Sequence, residues 1–229
     1  MNLAALLTER PVVLLDFDGP MCAVFGGTLS APEVARRLTQ AARGQGVQLG
    51  ADLDGVDDPF DVLKAAAQNG PDDATCVEAL LRMEEVRAVS TAPIADGLHA
   101  ALAALRDSGH GSTVVSNNST AAVHAFITSH GLHDLIRGVI ARTEPDPALL
   151  KPSPHLVRQA VADNRARPEQ CVLIGDSDTD IIAAHHAGVA AVAYANKPGK
   201  LGALQAQHPE AVITHLDDIT RASKLPYVS

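Results

Sequence analysis

Two aspartates, Asp16 and Asp18, follow directly on an apolar run of Val12, Val13, Leu14 and Leu15. A carboxylate can act as a nucleophile or exchange a proton with a leaving group, and residues at i and i+2 of an extended segment point the same way. At the carboxyl end of a buried parallel strand the pair would face the crevice in which α/β sheets bind ligands, with Gly19 letting the chain turn away. Asp-Gly after an apolar run is also an ordinary turn, so this stretch alone decides little.

Three later segments repeat the pattern of apolar run then polar group. Ser116 follows Val114 and Val115, Lys151 follows Leu149 and Leu150, and Asp176 and Asp180 follow Ile174 and Gly175. A serine hydroxyl can donate to an anionic oxygen, helped by the N–H groups of Asn117 and Asn118, and a lysine supplies a fixed positive charge. Further carboxylates are the hard oxygen ligands that a divalent cation requires. Gly175 permits a tight turn, and an early helical turn brings Asp180 back over the same place.

With these residues in order, DFDG at 16–19, VVSNN at 114–118, LLKP at 149–152 and IGDSDTD at 174–180, the chain resembles the haloacid dehalogenase superfamily. The resemblance implies a Rossmann-like, doubly wound parallel sheet with an inserted all-helical cap of the small C1 type, as in phosphoglycolate phosphatase-like and β-phosphoglucomutase-like members. It implies a phosphatase that hydrolyses a small phosphomonoester through an aspartyl-phosphate on Asp16, with Asp18 as acid and base, Ser116, Asn117 and Lys151 on the phosphoryl group, and Gly175 and Asp180 in support. Mg²⁺ is the implied cofactor, held by Asp16, Asp176 and the main-chain carbonyl of Asp18. A phosphomutase shares every core residue and is the alternative; an idle binding protein on the same fold is disfavoured by the intact acids. Asp18 disfavours dehalogenation. The first motif departs from the usual pattern, continuing Gly19, Pro20, Met21, Cys22 where a Thr commonly follows the Gly.

Composition sets outer bounds. A net charge of −9, no Trp and two Tyr argue against a nucleic-acid or acidic-membrane surface. No apolar run approaches a membrane span, and Glu9 and Arg10 interrupt the start before it reads as a signal peptide, so a cytoplasmic location is expected. Cys22, Cys76 and Cys171 show no metal or disulfide spacing. The expected partner is a small phosphorylated metabolite, with no nucleic acid and no membrane, for a monomer or homodimer.

The elements that must position these groups follow from periodicity. Strands are expected at 12–15, 112–116, 138–141, 171–174, 190–193 and, as an edge, 211–213, alternating with helices as in right-handed βαβ units. Residues 21–29 have no period and read as a flexible exit from the sheet. Between about 30 and 90 only helices are expected: one opened by Ser30 with Glu33, one by Asp58-Pro59, and a third carrying Val77, Leu80, Leu81 and Ala88. The organisation expected is a core of 1–20 and 91–229 with a cap of 21–90, whose arginines Arg36, Arg37, Arg43, Arg82 and Arg87 are candidate substrate anchors among which the sequence selects none. His185 and His186, adjacent on one helix, are expected to be packing or surface residues.

Overall fold

Four residues without a polar group, β1 (Val12–Leu15), can be buried on both faces only inside a covered sheet, and all four are buried. In the computed structural model, which describes residues 2–224, β1 lies between two parallel neighbours. Val12 to Leu15 pair with Gly111 to Val114 of β2 (Gly111–Ser119) on one side and with Cys171 to Ile174 of β4 (Cys171–Gly175) on the other. Adding β3 (Gly138–Arg142), β5 (Ala190–Tyr194) and β6 (Ala211–Ile213) gives one six-stranded sheet, all parallel, in the order β3-β2-β1-β4-β5-β6. The order reverses at β1, which creates the crevice where ligands enter such sheets.

The two faces of β1 belong to two cores. Val13 and Leu15 join a cluster with Leu6 of α1 (Leu3–Glu9), Leu102 of α5 (Leu98–Asp107), Phe126 of α6 (Thr120–Ser129) and Ile219 of α10 (Asp217–Ser223). Val12 and Leu14 join another with Val157 of α7 (His155–Asp163), Ile181 of α8 (Asp178–His186) and Leu204 of α9 (Lys200–Gln205). The side-chain period of two in a strand divides these residues between the layers.

Between β1 and β2 run α2 (Ala31–Gly44), α3 (Pro59–Asn69) and α4 (Pro71–Val89). Ser30 caps α2 by accepting the Glu33 N–H, and Asp58 caps α3 by accepting the Phe60 N–H at 2.9 Å. Glu33 does not complete a capping box, because its carboxylate binds Arg36 and Arg37 instead. Leu38, Leu63 and Leu81 pack these three helices into the cluster that holds Val12 and Leu14.

Three features differ from expectation. The segment after Gly19 is pinned: the Val24 N–H donates to Asp18 Oδ1, the Ala23 N–H to the Pro93 carbonyl, and the Ala95 N–H to the Met21 carbonyl. Such long-range backbone bonds leave no periodic trace. The first helix, α1, buries Leu3, Leu6 and Leu7 at helical spacing, and α9 and α10 are turns too short to show a stripe. Finally, β2 runs on to Ser119 with a register shift between Ser116 and Ser119, an irregularity of the kind that re-aims side chains. Of the core expected at 1–20 and 91–229, Met1 and residues 225–229 lie outside the described residues.

Candidate active site at the carboxyl ends of the central strands

The three strands around the reversal in sheet order each carry one of the anticipated groups at or near the carboxyl end. Asp16 is the residue after β1, and its N–H donates to the Ile174 carbonyl at 2.9 Å, which ties it to the end of β4. Asp176 is the residue after β4, and Ser116 lies within β2. Lys151 arrives from the loop before α7. Its ammonium donates to Asp16 Oδ1 at 2.6 Å, Asp180 Oδ1 at 2.5 Å and the Val115 carbonyl at 3.0 Å, so all three of its protons are used.

Asn117 explains how that loop is held. Its side-chain amide accepts the Lys151 N–H at 2.8 Å and donates to the Lys151 carbonyl at 3.1 Å, gripping the lysine main chain from both sides. Asn117 therefore acts on Lys151 through its side chain, while the Asn118 N–H is taken up by Ser116 Oγ at 3.0 Å. Ser116 is buried but lines a cavity of about 170 Å³ with Asp16, Asp18, Lys151, Asp176 and Asp180.

Asp16, Asp176 and Asp180 each offer an oxygen, all within 4.8 Å of one another. Asp180 is oriented by a capping box at the start of α8, in which the Ser177 N–H and hydroxyl donate to its Oδ2 at 3.1 and 2.6 Å. Asp176 Oδ2 accepts from Asn196 at 3.0 Å and from the Lys200 ammonium, which also donates to the Asp176 carbonyl at 2.9 Å. Two glycines permit this crowding: a Cβ on Gly19, where φ is +116°, would collide with the Asp176 carboxyl, and one on Gly175 would collide with Asp180. The Asp18 carboxyl is turned aside to accept the Val24 N–H at 2.9 Å and stays outside the three-carboxylate group, though it lines the same cavity.

Burial is the largest influence on the protonation equilibria of the site. Burial pushes the Asp16 carboxyl well above the usual range, the charge of Asp180 pushes the same way, and Lys151 only partly opposes them. Burial acts to lower Lys151, but Asp16 and Asp180 together hold it above its usual range and keep it charged. Asp18 is pushed up to about 6, first by burial and then by Asp176, against the Val24 N–H and the charges of Lys197 and Lys200. Three carboxylates within 4.8 Å of one another, two of them on the buried Lys151 ammonium and the third on Lys200, present oxygen donors only and suit a hard divalent cation such as Mg²⁺.

Several side chains here were not singled out from the sequence. Asn196, two residues past β5, carries the same signal that revealed Ser116, a polar group just beyond an apolar strand. Lys200, Phe60, Glu78, Glu85 and Arg142 look like ordinary helix or strand-end residues in sequence. Phe60 is the single lining residue that α2, α3 and α4 contribute to the cavity. The five arginines of that segment are exposed and paired with nearby acids: Arg36 and Arg37 with Glu33, Arg43 with Asp54, Arg82 with Glu78 and Arg87 with Glu84. His185 and His186 are on the surface, Cys171 is buried in β4, and Cys22 and Phe25 pack on the α1 side of the sheet.

Residues 61–194 match the model of the haloacid dehalogenase-like hydrolase family. The chain belongs to that family and is an enzyme of the hydrolase kind. The match contains Ser116, Lys151, Asp176 and Asp180 but begins after Asp16 and Asp18, which join the others through the pairing of β1 with β2 and β4. Solved structures share the fold. A predicted phosphoglycolate phosphatase from Haemophilus somnus 129pt is 19% identical with a TM-score of 0.68, over 95% of this chain and 100% of that one. A predicted phosphatase from Clostridium acetobutylicum is 14% identical with a TM-score of 0.70, over 93% and 97%. CbbY from Rhodobacter sphaeroides, solved in complex with phosphate, is 16% identical with a TM-score of 0.62, over 90% and 95%. No curated protein matches the chain by sequence. Among the described residues no helix is long and apolar enough to cross a membrane.

Proposed function

We propose that this hydrolase is a phosphatase for a small phosphomonoester, with Asp16 as the nucleophile and Asp18 as the proton carrier. The observation that carries the reading is the meeting of Asp16, Lys151, Asp176 and Ser116, from four separate stretches, around one cavity of about 170 Å³.

In the first step an Asp16 oxygen attacks phosphorus while the bond to the leaving oxygen breaks, and protonated Asp18 gives that oxygen its proton. Lys151 and the Ser116 hydroxyl hold the phosphoryl oxygens. In the second step the Asp18 carboxylate takes a proton from water, whose oxygen attacks phosphorus and breaks the bond to Asp16, releasing inorganic phosphate. Mg²⁺ held by Asp16, Asp176 and the Asp18 carbonyl would supply the positive charge that lets two anions approach. Asp180 holds Lys151 in place through their ion pair. We further propose that residues 21–90 serve as the cap over a core of 1–20 and 91–229, with Phe60 as the face presented to the leaving group, and that the enzyme works in the cytoplasm on a phosphorylated metabolite. The phosphate bound by the fold neighbour CbbY is consistent with this reading.

The test compares wild type with Asp16→Asn on a generic aryl phosphate, with Mg²⁺ and with EDTA. Release of phosphate by wild type with Mg²⁺ only, and loss of about 10³-fold or more in the variant, is expected. Equal activity in all cases removes the reading.

A further inference from the structure

Glu85, on α4, is fully buried, and so is Arg142 at the end of β3. Neither takes part in the chemistry above. Removing two charges from water gains little net stability over apolar packing of the same volume, so the value of such a pair lies in what it fixes. Its hydrogen bonds are directed at one place. Glu85 Oε2 accepts the Ser119 N–H at 2.9 Å and the Arg142 Nη2 at 2.7 Å, and Oε1 accepts the Asn118 side-chain N–H at 3.2 Å. Arg142 Nε donates to the Asn117 carbonyl at 3.0 Å. Both flanks of the irregular Ser116–Ser119 end of β2 are thereby held by one ion pair.

The consequence reaches Ser116. With its NH₂ group on Glu85, the Asn118 amide must present its oxygen to Ser116, whose hydroxyl donates to that oxygen at 3.3 Å and accepts the Asn118 N–H at 3.0 Å; a phosphoryl oxygen would take the same proton in its place. We infer that Glu85, with Arg142 as its counter-charge, is a positioning residue for the phosphate-binding end of β2: through Asn118 it sets where the Ser116 hydroxyl points. The inference rests on the proposed role of Ser116 toward a phosphoryl group. Glu78 is the built-in control, because it also binds Arg142, at 2.5 Å, and touches Arg82, but makes no bond to residues 116–119.

Glutamine at position 85 keeps the shape but has one acceptor oxygen where three donors converge, and points an NH₂ group at the remainder. Glu85→Gln is expected to raise both KM for an aryl phosphate and the Kd for inorganic phosphate, read by calorimetry, about tenfold. Glu78→Gln is expected to lower Tm as well but to leave both constants within about twofold. Where Glu85→Gln does not accumulate, Asn118→Ala cuts the same link and leaves the Glu85–Arg142 pair whole; the same rise is expected. Equal shifts in the two glutamate variants, or none at Glu85 or Asn118, overturn the positioning role. A wild type that neither hydrolyses phosphomonoesters nor binds phosphate overturns the phosphatase reading itself, and the role of Glu85 with it.

Discussion

At the strand ends, Asp16 and Asp180 share the buried ammonium of Lys151, Asp176 beside them binds Lys200, and all three carboxylates open on a cavity; next to this group, Glu78 and Glu85 share the guanidinium of Arg142 and face only protein. The two clusters adjoin at Asn117, which grips Lys151 with its side chain and takes Arg142 on its carbonyl, and at Phe60, whose ring lies 5.8 Å from the guanidinium while lining the cavity. In the Arg142 cluster each charge meets fixed donors or acceptors, which is what a structural network requires. In the Lys151 cluster negative charge is in surplus and carboxylate oxygens face open space, an arrangement completed by a ligand.

The largest effect that can break this contrast is at Lys151. Lys151→Met removes the ammonium that offsets Asp16 and Asp180 and is expected to lower kcat/KM for a phosphomonoester about 10³-fold, measured at saturating Mg²⁺. A loss under tenfold would mean that this charge is not aimed at the reaction. Next is Arg142→Met, which strands two buried glutamates and is expected to destabilise by about 3–5 kcal/mol, a fall of roughly 10 °C in Tm for a chain of this size. Adding Glu78→Gln and Glu85→Gln to it should recover much of the loss; failure to do so would mean that the arginine acts by packing and not as a counter-charge.

Mg²⁺ separates the clusters directly. At a hundred times its Kd a bound ion stabilises by about 2.7 kcal/mol, so Tm should rise by roughly 5–10 °C, reversibly with EDTA, in wild type and Glu78→Gln but not in Asp176→Asn. The smallest effect sharpens the role of Asp18. Since burial pushes its carboxyl up to about 6, the protonated acid fades above that pH, and kcat/KM for an alkyl phosphate should fall about tenfold per unit. An aryl phosphate, whose leaving group departs without a proton, should show no such limb. A bound cation favours the ionised carboxyl and moves the limb to lower pH with the same sign. Identical profiles for both substrates would remove Asp18 as the acid.

The contrast also explains what could be read from the sequence. Asp16, Ser116, Lys151 and Asp176 sit where apolar runs stop, and strand periodicity converts that position into a place on one sheet edge. All six strands and the four helices between β1 and β2, α2 to α5, were legible for the same reason. Glu85 and Arg142 were not, because a charged residue on a nineteen-residue helix or at a strand end reads as solvated surface until tertiary packing covers it. The arginines that drew attention, Arg82 and Arg87, belong to the exposed side of that same helix. Asp18 was legible as a residue but not in its direction, which depends on the N–H of Val24 in a segment without period.

One feature of the sheet bears on how the enzyme comes into being. The central strand, Val12–Leu15, precedes both of its neighbours, one starting at Gly111 and the other at Cys171. On the ribosome, the nascent chain must therefore carry this apolar strand unpaired until β2 emerges and paired on one side only until β4 follows. Chains released before about residue 175 would lack one wall of the catalytic crevice, and chaperones would be expected to hold them.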